Sequence, residues 1–227
     1  MSEFTSYDSR KEAAETLAAS IAESLRVAIA ERGQASLVVC GGSSPLELFE
    51  HLSATELDWS RVTVVPSDER WVAVDDAQSN ERMIRDKLLT GLAADAHFVS
   101  LHRDTETPAA AVESVTRALA DIPRPFDGVL LGMGGDGHTA SLFPHASDID
   151  EAVASDAACI PADVGPPARL SLGLSVLTDA RRIDVLIFGD DKQAVYERAR
   201  HDGPIAELPI RGILNTQSPT ATVHWAA

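Results

Sequence analysis

The stretch from Phe126 to Pro144, FDGVLLGMGGDGHTASLFP, limits the possible folds of this chain more than any other segment. It opens on the apolar run Val129 to Leu131, which is typical of a strand buried on both faces of a parallel sheet. A loop rich in glycine follows, and the segment from Thr139 to Phe143 is compatible with a short helix. The pattern predicts a strand, a glycine loop and a helix start, the repeating unit of an open parallel α/β sheet.

Two ionisable side chains, Asp136 and His138, lie inside this glycine loop. Ligands of open parallel sheets bind outside the carboxyl ends of the strands, and backbone N–H groups at a helix N-terminus attract anions there. The loop therefore predicts a site that receives both an acid and an imidazole. The alternative is a tight turn in which the histidine only caps the loop or fills the core.

The same loop matches the dinucleotide pattern G-x-G-x-x-G through Gly132, Gly134 and Gly137. That fingerprint requires a full helix after the last glycine and an acidic residue after the next strand. Pro144 stops any helix here after barely two turns. A pyrophosphate site is therefore not predicted.

A second strand and glycine loop precede this one in the chain. Ser36 to Cys40 is an apolar strand, Gly41-Gly42-Ser43-Ser44 follows it, and helical spacing resumes from Leu46 to Leu52 with Pro45 at the first helical position. The arrangement predicts a second place for an anion. A simple βα turn is the alternative.

Charged residues follow other predicted strands as well. Asp68, Glu69 and Arg70 lie beyond the strand Val62 to Pro66, and they are either part of a site or a plain solvated loop. Lys192 lies beyond the strand Ile183 to Phe188, and it is either part of a site or an ordinary lysine at a helix start.

Further helices and strands are predicted along the chain. The helices run from Ala13 to Ile29 with a stop at Gly33, from Ser79 to Leu89, from Pro108 to Leu119, from Leu174 to Arg181 and from Gln193 to Arg200, and the strands are at Phe98 to Leu101, Arg169 to Leu172 and Thr220 to Trp225.

The alternation of strands and helices predicts an α/β fold with a doubly wound, mostly parallel sheet and helices on both faces, a Rossmann-like arrangement of three layers, α/β/α. No composition break divides the 227 residues. We expect one domain over residues 1–227.

The net charge of the chain limits the classes of binding partner that are expected. The chain has 35 acidic residues against 19 lysines and arginines, a net charge of −16, which disfavours binding to nucleic acid or to an anionic membrane. An anionic ligand would then need a local cluster of basic groups.

The two cysteines, Cys40 and Cys159, lie in apolar runs and are predicted to be core thiols in a reducing compartment. The N-terminus lacks a secretory pattern, so a cytoplasmic location is expected, and no histidine or cysteine spacing predicts a metal site.

Five motifs, read in order, resemble the 6-phosphogluconolactonase family, whose wider superfamily includes the glucosamine-6-phosphate deaminases. The motifs are GGSSP at 41–45, SDERWV at 67–72 with SN at 79–80, GMGGDGHTASLFP at 132–144, RLSLGLSVL at 169–177 and FGDDK at 188–192. The resemblance covers about residues 10–225. The family pattern often has Thr where Ser44 and Ser171 stand, and both changes keep a hydroxyl.

The resemblance implies hydrolysis of 6-phospho-D-glucono-1,5-lactone to 6-phosphogluconate in the pentose phosphate pathway, without a metal or an organic cofactor. It implies His138 as the base that activates water, with a helix N-terminus beside it keeping the imidazole neutral and Asp136 orienting the imidazole or the water. It also implies a phosphate and substrate grip, made by Gly41, Gly42, Ser43, Ser44, Asp68, Arg70, Arg169 and Lys192. The expected partner is a phosphorylated sugar lactone, and the expected state is a monomer or weak homodimer.

Three other functions remain open from the sequence. One is a deaminase-isomerase on the same fold, although the deaminases carry a glutamate immediately before the proline of this loop, where Phe143 stands here. Another is a sugar-phosphate-binding module without catalysis, which would have no need of both Asp136 and His138. The third is a serine hydrolase using Ser43 or Ser44 with His138, which lacks a G-x-S-x-G elbow.

Overall fold

The computed structural model describes residues 2–162 and 164–227. Two sheets are built from these strands: β1 Glu3–Ser6, β2 Ala35–Val39, β3 Val62–Pro66, β4 Asp68–Arg70, β5 His97–Phe98, β6 Gly128–Gly132, β7 Cys159–Ala162, β8 Arg169–Leu172, β9 Ile183–Phe188 and β10 Thr222–Ala226. The α-helices are α1 Arg10–Arg32, α2 Leu46–Ser53, α3 Asn80–Lys87, α4 Pro108–Ala120, α5 Ile149–Ala154, α6 Leu174–Thr178, α7 Asp190–Ala199 and α8 Arg211–Leu214.

The main sheet has the strand order β1-β10-β9-β6-β2-β3-β5, and every neighbouring pair in it is parallel. Its central strands β2 and β6 read as continuous apolar runs because both of their faces are covered. A smaller antiparallel sheet, in the order β4-β8-β7, lies beyond the carboxyl end of β3. The predicted fold class is confirmed.

Each face of the main sheet carries its own hydrophobic core. Alternate residues of a strand point to opposite faces, so Leu37 and Val39 of β2 pack with α1, α2 and α3, whereas Val38 packs with α4 and α7. The small sheet joins the second of these cores through residues such as Leu170 and Leu172. The small sheet is thereby fixed to the main sheet at the edge where its strands end.

The helix boundaries follow local capping chemistry. The Ser9 hydroxyl accepts a hydrogen bond from the Glu12 N–H at the start of α1, and Gly33 ends that helix in the left-handed region at φ 79°. Ser79 caps α3 in the same way through Arg82, and Thr107 with Pro108 begins α4. Among the described helices, none combines the length and the apolarity needed to span a membrane.

The structure corrects several predicted elements. Residues Thr139 to Phe143 form a tight turn bracketed by a bridge between Thr139 and Leu142, and no helix follows the glycine loop there. Charged residues after Pro66 form the short strand β4 instead of a loop, and β8 pairs with it outside the main sheet. The strand predicted at Phe98 to Leu101 ends at Phe98. The helix predicted from Leu174 to Arg181 ends at Thr178.

Candidate active site

A cleft of about 240 Å³ opens at the carboxyl ends of β2 and β6. Nine of the ten predicted site residues line it: Gly41, Gly42, Ser43, Ser44, Asp68, Arg70, His138, Arg169 and Lys192. The tenth, Asp136, contacts the cleft through His138. The site lies where an open parallel sheet is expected to bind its ligand.

The acid and the imidazole of the glycine loop form a pair. Oδ1 of Asp136 lies 2.6 Å from Nδ1 of His138 and also accepts the backbone N–H of His138 at 3.1 Å. A carboxylate accepts hydrogen bonds, so Nδ1 carries the proton and Nε2 remains an acceptor. Burial acts to raise the pKa of the Asp136 carboxyl, but these hydrogen bonds and the imidazole charge outweigh it and hold that pKa below its ordinary value.

Glycine is required at two positions of this loop. A Cβ on Gly134 would lie 2.1 Å from Nδ1 of His138, so only glycine leaves room for the imidazole. Gly137 adopts φ 84°, and its carbonyl accepts the N–H of Ile210 at 3.0 Å. The turn is closed by the Gly134 N–H, which donates to the His138 carbonyl at 2.9 Å. The loop therefore holds the imidazole in one place without a helix behind it.

Ser141 ties the histidine loop to the small sheet. Its hydroxyl donates to Oδ2 of Asp68 at 2.6 Å, and its backbone N–H donates to Oγ of Ser171 at 3.2 Å. Asp68 also accepts the Ser67 hydroxyl through Oδ1 at 2.9 Å. The carboxylate of Asp68 is thus largely satisfied by serines, and it fixes the loop that carries His138.

Two arginines face one another across the small sheet. Arg70 of β4 is paired in register with Arg169 of β8. Burial, followed by the positive charge of Arg70, lowers the pKa of Arg169, while the Asp68 carboxylate opposes that change. The buried Nε of Arg169 has no hydrogen-bond partner among the described residues. Two neighbouring guanidinium groups that line one cleft can bind an anion.

The Gly-Ser loop offers further donors to an anion. In the described part of the chain, the backbone N–H groups of Gly42, Ser43 and Ser44 have no intramolecular acceptor. Gly42 adopts φ 86°, which favours glycine because it has no Cβ. Lys192 lines the same end of the cleft from the first turn of α7 and forms no ion pair with any described residue. These groups make the local cationic cluster that a chain of net charge −16 needs for an anionic ligand.

Other nucleophiles are poorly suited to reaction. Cys40 lines the cleft, but burial and the nearby Asp68 charge raise the pKa of its thiol to about 12, so it stays protonated. No hydrogen bond joins His138 to Ser43 or Ser44 within the described residues. The geometry does not favour the serine hydrolase alternative. In residues 2–162 and 164–227, no group of three or more His, Cys, Asp or Glu side chains is arranged to hold a metal ion.

The sequence prediction missed two residues of the site. Asn80 lines the cleft, and Ser141 binds Asp68 beside it, but the sequence predicts no role in the site for either residue. Their partners lie 10 and 73 residues away in the chain, so no local spacing rule connects them. The SN motif at 79–80 was the only signal that pointed to Asn80.

The fold and the cleft together define a class of protein: a doubly wound α/β protein with a ligand cleft at the carboxyl ends of its parallel strands. The model of the glucosamine-6-phosphate isomerases/6-phosphogluconolactonase family matches residues 8–225. A 6-phosphogluconolactonase of Pseudomonas putida is 43% identical over 209 residues, 90% of this chain and 86% of that protein. One of Rhizobium meliloti is 41% identical over 217 residues, 94% of each chain.

A comparison with solved structures also finds a 6-phosphogluconolactonase. A crystal structure of a 6-phosphogluconolactonase from Shewanella baltica superposes with a TM-score of 0.96 at 38% identity, covering 100% of this chain and 98% of that one. The chain therefore belongs to the glucosamine-6-phosphate isomerase/6-phosphogluconolactonase family.

Proposed function

We propose that this protein hydrolyses 6-phospho-D-glucono-1,5-lactone to 6-phosphogluconate. The observation that carries the proposal is the 2.6 Å pair of Asp136 and His138 in one cleft with Arg70, Arg169 and Lys192. The similar proteins bearing the lactonase name, at 43% and 41% identity, support the choice of substrate. A phosphorylated lactone has the two features that this cleft addresses, an activated carbonyl and an anionic group.

In the proposed reaction, His138 acts through Nε2. It takes a proton from water as the water oxygen attacks the lactone carbonyl, which gives a tetrahedral oxyanion. When that oxyanion collapses, the bond to the ring oxygen breaks and the ring oxygen takes the proton from the imidazole. Asp136 holds the Nδ1–H tautomer and stabilises the imidazolium that forms between these steps. Water is consumed and the imidazole returns to its starting form.

In the same proposal, the phosphate is held by the cationic residues and the Gly-Ser loop. Arg169 and Lys192 supply charge, and Gly42, Ser43 and Ser44 supply backbone N–H donors that have no acceptor among the described residues. Asp68 acts mainly on the loop of His138, since both of its carboxylate oxygens already accept serine hydroxyls. We also propose that residues 1–227 form a single domain and that the protein is cytoplasmic, binds no nucleic acid and is a monomer or weak homodimer.

The deciding experiment is a lactonase assay on freshly prepared 6-phosphogluconolactone, corrected for spontaneous hydrolysis. Enzyme-dependent opening of the lactone that saturates with substrate supports the proposal. A parallel assay of ammonia release from glucosamine-6-phosphate tests the deaminase alternative. Binding of 6-phosphogluconate without turnover of either substrate would instead favour the binding module.

A further inference from the structure

Glu69 is a buried carboxylate that faces away from the cleft. It is 1% exposed, and its two oxygens accept four hydrogen bonds, from the backbone N–H groups of Arg70, Asn80 and Glu81 and from the Ser79 hydroxyl. The Glu69 carboxylate therefore links strand β4 to the first turn of α3. It fixes the backbone of Asn80 next to that of Arg70.

The side chain of Asn80 uses this position to join three parts of the cleft. Its Oδ1 accepts Nη1 of Arg70 at 2.5 Å, and its Nδ2 donates to the Asp68 carbonyl at 2.8 Å. Gly41 packs against the amide so closely that a Cβ there would lie 2.0 Å from Oδ1. Asn80 itself is 1% exposed, so its amide has no freedom to leave this place.

Arg70 needs such a partner because its charge lies beside another charge of the same sign. Arg169 is its register neighbour, and the two guanidinium groups repel each other, so a restraint is needed to keep them side by side. The Arg70 contacts with described residues use one nitrogen, Nη1, which also donates to the Gln78 carbonyl at 3.2 Å. The remaining donors of the guanidinium are left for a ligand.

We propose that Asn80 is a positioning residue that holds Arg70 against the repulsion of Arg169 and directs its free N–H groups at the phosphate of the substrate. The inference rests on the proposed function for the identity of that phosphate. The side-chain oxygen of Asn80 contacts the guanidinium of Arg70 directly. Its effect is therefore on binding of the anion, transmitted through Arg70.

The test is a double-mutant cycle on Asn80→Ala and Arg70→Ala, with binding of 6-phosphogluconate measured by calorimetry beside kcat and KM. Asn80→Ala alone should weaken 6-phosphogluconate and raise KM by roughly tenfold, the usual scale for losing a hydrogen bond to a charged group. The kcat should change less than about threefold, since the phosphate is held alike in ground and transition states. In the Arg70→Ala background, Asn80→Ala should have no further effect on binding.

Gln78→Ala is the matched control, because it removes a neighbouring amide side chain and leaves the backbone carbonyl that Arg70 uses. It should match the wild type in affinity. The proposal would be overturned if Asn80→Ala weakened 6-phosphogluconate binding equally in the wild-type and the Arg70→Ala protein. It would also be overturned if Asn80→Ala lowered kcat and left binding unchanged. Should Asn80→Ala not fold, nitrogen NMR of Arg70 in the ligand-free wild type decides: slow rotation of the guanidinium is expected, and free rotation contradicts the proposal.

The same cycle run with inorganic phosphate as the probe separates this inference from the proposed function. If the effects of Asn80→Ala and Arg70→Ala on phosphate affinity are not additive, and the protein does not open the lactone, the proposed reaction is rejected and the positioning role is supported. A protein that opens the lactone but shows additive effects would keep the reaction and reject the positioning role.

Discussion

The imidazole of His138 stacks on the phenyl ring of Phe143, with ring centroids 4.2 Å apart and an angle of 29° between the planes. The guanidinium of Arg169 lies 5.1 Å from the centre of the same phenyl ring. An apolar ring therefore contacts both the proposed base and one of the cations. The ring restrains the imidazole by contact alone, because it can neither donate nor accept a proton.

Phe143 should separate lactone hydrolysis from the deaminase reaction. The glutamate that the deaminases carry before the proline works with their histidine in proton transfer, and Phe143 cannot do so. We expect the wild type to open 6-phosphogluconolactone and to release no measurable ammonia from glucosamine-6-phosphate. Ammonia release by the wild type at rates comparable to lactone opening would reverse this choice. A folded Phe143→Glu variant tests whether this one position blocks the other chemistry.

His138→Ala should lower kcat by about 10²–10⁴-fold, the usual contribution of a positioned general base. The side chain is 32% exposed, so the fold should survive its removal. Calorimetry should show nearly unchanged binding of 6-phosphogluconate, since the cationic residues are intact. A kcat within about tenfold of the wild type would reject His138 as the base.

Two adjacent glycines provide a geometric test of the imidazole position. Gly134→Ala places a methyl group 2.1 Å from Nδ1 of His138, whereas a Cβ at Gly135 meets nothing within 4 Å. We expect Gly134→Ala to lower kcat by about 10²-fold through displacement of the base. Gly135→Ala should retain wild-type kcat and serves as the matched control. Similar kcat values for the two variants would mean that the imidazole position does not limit the reaction.

Lys192→Ala should raise KM for the lactone and weaken 6-phosphogluconate, with a smaller change in kcat, because a remote phosphate is bound alike in ground and transition states. The loss should be roughly tenfold or more, the scale of a charge-assisted hydrogen bond. Lys87→Ala, on the exposed end of α3, is the control for a change of net charge. Unchanged affinity in Lys192→Ala would remove this residue from the phosphate grip.

Asp184→Asn should lower the free energy of unfolding, and it should reduce the dependence of that free energy on pH in acid. Burial acts to raise the pKa of Asp184, but its hydrogen bonds with His224 at 2.9 Å and with Arg182 outweigh burial and lower the pKa below 3.8. The unfolded chain therefore takes up the proton first, and the contribution of Asp184 is complete above about pH 5 and is lost as pH falls through the folded pKa. Denaturant unfolding at neutral pH should show a loss of about 3 kcal/mol.

The control for this pH dependence is Asp86→Asn, whose side chain is 62% exposed. It should keep the wild-type slope of stability against pH between about pH 2 and 4. A wild-type slope in Asp184→Asn would contradict the assignment.

Most of the main sheet could be predicted from the sequence because its signals are local. Apolar runs of three or four residues, followed by glycine, predict β2, β6 and β9 directly. In the small sheet, the strand Arg169 to Leu172 was predicted with its observed bounds. Its pairing was not, since β4 pairs with residues about a hundred positions away and the sequence Asp68 to Arg70 has no strand pattern. The histidine turn was predicted as a helix because its residues permit one, whereas the bonds of Ser141 to Asp68 and Ser171 favour a turn.

The site was predicted to the extent that its residues follow strands. Gly41 to Ser44, His138 and Lys192 come after β2, β6 and β9, so the parallel sheet brings them to one edge. Asn80 and Ser141 act through contacts with distant side chains, and those contacts exist only once the two sheets are packed. The roles of these residues stay predictions that the experiments above test.

The bonds of Ser141 have a consequence for the size of the ligand. Because Ser141 joins the turn after His138 to both Asp68 and Ser171, the imidazole is tied to the small sheet, which carries both arginines. Lys192 takes no part in these bonds and lies in the first turn of α7. The seating of the small sheet therefore sets the distance between the arginines and Lys192, and a residue inserted between β3 and β4 should change which length of sugar phosphate fits.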